Sequence, residues 1–196
     1  MSGHTMLRII SLLMVCSLHT ISWCMEVKLS ATSVTCNGGN DGEIKVSISN
    51  ASSAYTIKLY DKTPAVKQKT LEVITTSDSI VQFADLPAKK YYILVTDDKS
   101  NRFQGEIVVD EPGPFKYMGH QVDLFPTSSN ANNGQITLVI TGGTPPYSFK
   151  WNGDTKNQTT QTAKGLAYGI YSCEINDANK CGPLRPSIMF LEPDNE

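Results

Sequence analysis

An all-β fold, two antiparallel sandwiches in tandem, is predicted by three observations. Alternating apolar and polar runs recur every 10 to 15 residues. Turn-forming clusters separate them. One pattern of residues occurs twice along the chain. After residue 24 no stretch carries the 3.6-residue apolar stripe of an amphipathic helix.

The strands follow in order. Glu43-Ile44-Lys45-Val46-Ser47-Ile48-Ser49 places Ile44, Val46 and Ile48 on one face, and Tyr55-Thr56-Ile57-Lys58-Leu59 alternates likewise. Tyr91-Tyr92-Ile93-Leu94-Val95 and Glu106-Ile107-Val108-Val109 are richer in apolar residues, as central strands are. Asn37-Gly38-Gly39-Asn40-Asp41-Gly42 and Thr96-Asp97-Asp98-Lys99-Ser100 are turns. Gly142 to Pro146 ends one strand and redirects the chain into Tyr147, Phe149 and Trp151, whose alternation predicts three core rings. Gly165-Leu166 and Gly169-Ile170-Tyr171 lead into a buried strand, and Asp177-Ala178-Asn179-Lys180 reads as a hairpin turn.

Asn40-Asp41-Gly42-Glu43-Ile44 matches Asn132-Asn133-Gly134-Gln135-Ile136 at an offset of 92, as does Tyr55 with Tyr147. Leu86 and Leu166, Tyr91 and Tyr171, and Asp97 and Asp177 match at 80. The first copy therefore carries about 12 extra residues between Tyr60 and Phe83. The expected division is a first repeat over 25–112 and a second over 113–196, after a leader over 1–24. In each copy the Asn-x-Gly sequence is expected to supply a left-handed turn residue.

The leader reading rests on Arg8, the apolar run Ile9 to Cys16, and Ser22 and Cys24 before Met25. That is the order of a secretory signal peptide, and its apolar run is far short of a membrane span. A buried N-terminal helix is the alternative. Lipidation at Cys24, or at Cys16, competes with simple cleavage, although Trp23 and Val15 are poor residues to precede a lipidated cysteine. An exported chain would sit in the periplasm, at the cell surface or outside the cell.

The whole chain has 17 basic and 19 acidic residues, and the leader holds one Arg and no acid. The remaining 172 residues carry no basic excess to neutralise phosphates, so nucleic acid is not expected as a partner. They keep one histidine, His120, too few for a His-rich zinc site. Neither a nucleophile elbow nor a phosphate-binding loop of the G-x-x-x-x-G-K type is present. No catalytic residues and no cofactor are expected. The Asn40-Asp41 and Asp97-Asp98 turns are the only candidates for Ca²⁺.

Cys36, Cys173 and Cys181 follow the leader. Three states are open: no intrachain disulfide, a Cys173–Cys181 bridge, or a bridge using Cys36. If Asp177–Lys180 is a four-residue loop, Cys173 lies about three rungs, roughly 10 Å, from Cys181, which is long for a bridge.

The second copy resembles an SprB-type repeat, a PKD/Ig-like module of Bacteroidetes surface proteins. Gly142-Gly143-Thr144-Pro145-Pro146-Tyr147-Ser148-Phe149-Lys150-Trp151, Gly165-Leu166-Ala167-Tyr168-Gly169-Ile170-Tyr171 and Asp177-Ala178-Asn179-Lys180-Cys181 carry the resemblance. The first copy keeps Cys36 to Ile44, then departs, with Leu59 where the Trp stands in the second. Of the module's two characteristic cysteines the first copy keeps Cys36 and the second keeps Cys181; Asn101 and Ser128 stand at the other two places. The resemblance implies a non-enzymatic, exported binding or structural module, in adhesion or as a scaffold, with a protein or glycan partner at the cell envelope. Separately, Asp78-Ser79-Ile80 resembles the short O-glycosylation motif of Bacteroidetes, with Ser79 as acceptor. The second copy runs to residue 196, so no C-terminal type IX sorting domain is expected. A glycan-binding accessory protein is the alternative, with Tyr60, Tyr117 and Tyr168 as loop platforms. An exposed coplanar aromatic pair would favour it, and aromatics all turned inward would favour the scaffold.

Overall fold

The computed structural model describes residues 9–10, 25–50, 54–61 and 69–191. These are all-β, with one 3-10 turn at Gly153–Thr155. The chain divides into two compact units, Met1–Glu111 and Pro112–Glu196.

In unit 1 the strands are β1 (Ile9–Ile10), β2 (Glu26–Thr32), β3 (Gly42–Ser49), β4 (Tyr55–Asp61), β5 (Lys69–Thr76), β6 (Ile80–Leu86), β7 (Lys89–Asp97) and β8 (Arg102–Val109). They form two antiparallel sheets ordered β1-β2-β3-β6 and β5-β4-β7-β8. The core is what the alternation dictates: Ile44, Val46 and Ile48 from one sheet meet Ile57, Leu59, Ile93 and Val95 from the other, all buried. β7 is central, as its composition implies, but β8 is an edge strand and Val108 is exposed. The two-residue strand β1 lies within the apolar run Ile9 to Cys16 and pairs with Leu29 and Ser30 of β2. Cys16 and Cys24 lie outside the described residues.

Unit 2 has β9 (Lys116–Leu124), β10 (Gly134–Thr141), β11 (Ser148–Trp151), β12 (Thr162–Leu166), β13 (Gly169–Asn176) and β14 (Ser187–Phe190). Its sheets are ordered β12-β10-β9 and β11-β13-β14. Each strand has its counterpart in β2–β8 except β5. The extra residues of the first copy thus contribute a strand that unit 2 lacks.

The repeated residues do matched work. In unit 1 the Thr35 N–H donates to Asp41 Oδ1 at 3.0 Å, and in unit 2 the Thr127 N–H donates to Asn133 Oδ1 at 3.1 Å. Tyr91 Oη donates to Pro87 O at 2.8 Å, and Tyr171 Oη to Ala167 O at 3.0 Å, two tyrosine corners that tie a strand to the turn before it. Asp97 Oδ1 accepts from the N–H groups of Lys99 (3.0 Å) and Asn101 (2.7 Å), while Asp177 accepts from Cys181 (2.7 Å) and Thr144 (2.8 Å). Both aspartates are buried.

The Asn-x-Gly glycines correct the sequence reading. Neither Gly42 nor Gly134 has a positive φ. They are glycine because there is no room for a side chain. A Cβ on Gly42 would meet Val109 and stand 2.7 Å from Leu86 O, and one on Gly134 would stand 2.7 Å from Phe190 Cε1 and 2.9 Å from Leu166 O. The left-handed positions lie elsewhere, at Gly38 and at the Gly142-Gly143 pair (φ 68° and 63°).

Candidate ligand-binding face

The aromatic stripe of unit 2 goes inward and fades toward its start. Trp151 is 1% exposed, and its Nε1–H donates to Thr160 O at 2.8 Å. Phe149 is half-buried against the same core. Tyr147 is half-buried at the sheet margin, stacked on Phe115 with ring centroids 5.6 Å apart, its hydroxyl donating to Gly142 O at 2.6 Å.

Cys173 faces Trp151 directly across the β11–β13 ladder, as a free, buried thiol. Burial pushes its pKa up to about 11. Cys36 and Cys181 are each disulfide-bonded. The Cys173–Cys181 bridge is therefore a correction: one residue points into the core from a strand, and the other lies in a loop. That loop is also longer than four residues. Its tight turn forms, Lys180 N–H to Asp177 O at 3.1 Å, but the ladder resumes only where Ile175 and Leu184 exchange hydrogen bonds.

The turn acids are occupied by protein donors. The Asp41 carboxylate accepts from Thr35 N–H and Oγ1–H, and this holds its pKa below the usual carboxylate value. Asp97 is held by its own loop, with Asn101 Nδ2 2.8 Å from its second oxygen. Among the described residues no group of three or more His, Cys, Asp or Glu stands in a metal-holding arrangement. Ser79 is exposed in the turn between β5 and β6, where its carbonyl accepts from Ile48 N–H.

Of the three tyrosines expected on loops, Tyr60 lies on β4 and Tyr117 on β9. Tyr117 packs against the core of unit 2 with its hydroxyl 3.0 Å from His120 Nδ1. Tyr168 donates to Pro126 O and meets Phe190 edge-on. Tyr60 is different. It stands opposite Tyr92 on the outer face of the β5-β4-β7-β8 sheet, ring centroids 6.0 Å apart and planes tilted by 49°. The pair is half-buried and not coplanar.

The same outer face carries two further cross-strand rows, Val73–Lys58–Leu94–Gln104 and Thr75–Thr56–Thr96–Arg102. An open groove of about 660 Å³ runs over Thr56, Lys58, Thr75, Leu94, Thr96 and Arg102 and ends at Asp98 and Ser100. This volume is within the range of small-ligand sites, roughly 300–1,000 Å³. The sequence gives no warning of the groove, because three threonines become a row only once β5, β4 and β7 are paired.

No curated protein matches the chain. Among solved structures, a fragment of intimin in complex with the translocated intimin receptor's intimin-binding domain is similar at 11% identity and a TM-score of 0.42, over 84% of this chain; the chain spans 63% of that fragment. Murine CEACAM1b is similar at 14% identity (TM-score 0.32, covering 78% of this chain and 92% of that one). The amphioxus IgVJ-C2 molecule is similar at 15% identity (TM-score 0.34, covering 87% and 98%). None superposes closely enough to carry a functional argument. The SprB repeat family model matches residues 29–64 and 129–156, one segment in each unit. A segment resembling the SprB repeat thus lies in each of the two units, and each unit folds as antiparallel sheets packed around its own core.

Proposed function

We propose that this chain is an exported, non-enzymatic module of the cell envelope that acts by binding or by scaffolding, in adhesion or in the assembly of a surface structure. The observation that carries the reading is the recurrence of the SprB repeat in both units. The leader-like segment before Met25 supports it. So does the employment of the acidic side chains: Asp41, Asp97 and Asp177 organise turns. A sandwich of this kind is a frame on which loops and sheet faces are free to vary. The partner is a protein or a glycan. The exposure of Ser79 in its turn supports the reading that it accepts an O-linked sugar.

Fractionation of cells producing the full chain, with mass spectrometry of its N-terminus, tests this. The expected product starts at or near Met25 and is degraded by protease added to intact cells or to their periplasm. An acyl-mass increment on Cys24 would make it a lipoprotein. A cytoplasmic chain still starting at Met1 or Met6 overturns export.

The second reading, a glycan-binding accessory protein, is favoured by the threonine-lined groove on the outer face of unit 1, while the Tyr60–Tyr92 pair beside it is half-buried and tilted rather than the exposed coplanar pair expected of a sugar platform.

A further inference from the structure

We propose that the outer face of the β5-β4-β7-β8 sheet of unit 1 binds an uncharged oligosaccharide, laid along the strands from the threonine row to the Tyr60–Tyr92 pair. This rests on the binding-module reading above but not on where the chain resides.

Three observations carry it. The first is the chemistry of the groove. Thr56, Thr75 and Thr96 present hydroxyls that both donate and accept, with Ser100 and Arg102 at the end. Thr56 and Thr75 already stand 3.1 Å apart, a pair able to share one ligand hydroxyl. Leu94 and the two tyrosines supply an apolar surface on which the flat faces of sugar rings can lie. Sugars need both kinds of surface.

The second is charge. Lys58 and Arg102 line the groove, and neither has an ion-pair partner among the described residues. Asp97 and Asp98 line it too, the first with its carboxylate turned back into its own loop. Two cations against two anions leave no net field for a polyanion, but they offer strong donors and an acceptor to a neutral polyol.

The third is the same face of unit 2, which the fold builds without these features. Lys150 stands where Lys58 does, but Asn152 and Ser172 replace the tyrosine pair, and Glu174 replaces Leu94. Glu174 is paired with Arg185 at 3.0 Å, which closes that face ionically, and no strand corresponds to β5. Folding therefore does not require an outward-facing tyrosine pair, a threonine row or a fourth strand. The length of the site fits as well. Three rows two residues apart span about 14 Å along the strands, room for a short run of sugar rings.

The test is titration calorimetry of the full chain with cello-, manno-, galacto- and malto-oligosaccharides, with oligogalacturonate as the charged probe. At least one neutral series should bind. Tyr60→Ala and Tyr92→Ala should each weaken it about tenfold, and Thr96→Val, which keeps shape and removes a hydroxyl, should weaken it less. Lys150→Met on the unit 2 face should change nothing. Thermal unfolding confirms that unit 1 is intact in each variant; if either alanine variant unfolds it, Thr96→Val decides. Binding of no neutral series, binding indifferent to the unit 1 substitutions, or tighter binding of oligogalacturonate that depends on Lys58 and Arg102 each overturns the proposal. None of these outcomes bears on export, which the N-terminus decides separately.

Discussion

The two units solve one packing problem with different residues. At the centre of unit 1, Leu59 of β4 stands opposite Ile93 of β7. At the matching rung of unit 2, Trp151 stands opposite Cys173. All four are buried. Two medium side chains in one unit become a very large and a small one in the other, so the space between the sheets is filled either way. The thiol of Cys173 is therefore read as packing rather than chemistry: its small volume admits the indole. What does not vary between the units is equally informative. Gly42 and Gly134 stand where a Cβ would clash, Tyr91 and Tyr171 where a hydroxyl reaches a turn carbonyl, and Asp97 and Asp177 where a buried carboxylate accepts from loop N–H groups.

The largest effect follows from breaking that exchange. Trp151→Ala should cost roughly 3–5 kcal/mol, most of the stability of a small unit. Unit 1 should keep its own transition in calorimetry. Trp151→Leu should also destabilise unit 2, and Cys173→Ile added to it should recover part of the loss, because the pair then reproduces Leu59–Ile93. Recovery stays incomplete, since Thr160 O loses the indole N–H. Cys173 also gives the readout for the single variants. Buried, with its pKa at about 11, it should resist alkylation until unit 2 opens. A double variant no more stable than Trp151→Leu would break the volume-exchange account.

A second, smaller effect probes what the units share. Gly42→Ala and Gly134→Ala each force a methyl group against a strand carbonyl and a core side chain. Each should cost about 1–3 kcal/mol, confined to its own unit. Gly165 has a positive φ and an open environment, so Gly165→Ala should be strained by its backbone instead. Neutral behaviour at Gly42 would mean that the β3 turn relaxes, and the equivalence of the two glycines would fail.

Period-two alternation made β3, β4 and β7 legible in the sequence, because one face of each is buried and the other wet. β5 was not legible. In Lys69–Thr76 the apolar residues Leu71 and Val73 are exposed on an edge strand, so no burial pattern marks them. β9 was missed for a related reason: Met118 is exposed, and Gly119 interrupts the run at a φ of 130°. Trp151 could be read as core from its spacing with Phe149, but Tyr147 at the sheet margin could not be distinguished from a core residue by spacing alone. The groove on unit 1 was invisible because its lining comes from four strands, one of which had not been recognised.

The smallest effect separates the units by pH. Asp41 and Asn133 occupy equivalent turns and each meets the N–H and hydroxyl of one threonine, Thr35 or Thr127, with the hydroxyl donating to Asp41 but accepting from Asn133. Only Asp41 titrates. The hydrogen bond from the Thr35 hydroxyl, and then that from its backbone N–H, lower the Asp41 pKa below its unfolded value of 3.8. A group whose folded pKa is depressed contributes stability that is fully present above the unfolded value and is lost as pH falls through the folded one. Unit 1 should therefore lose an increment below pH 3.8 that unit 2 does not lose at the equivalent turn. Asp41→Asn copies unit 2 here, since Asn133 donates its Nδ2–H to Thr127 Oγ1 and accepts through Oδ1. The difference in unit 1 melting temperature between the natural chain and Asp41→Asn, followed from neutral pH into acid, isolates the site from every other carboxylate. That difference should move in favour of the variant as pH falls below 3.8. A difference independent of pH would show that the Thr35 contacts do not discriminate between the charged and neutral carboxyl, and the two turns would then be equivalent in energy as well as in geometry.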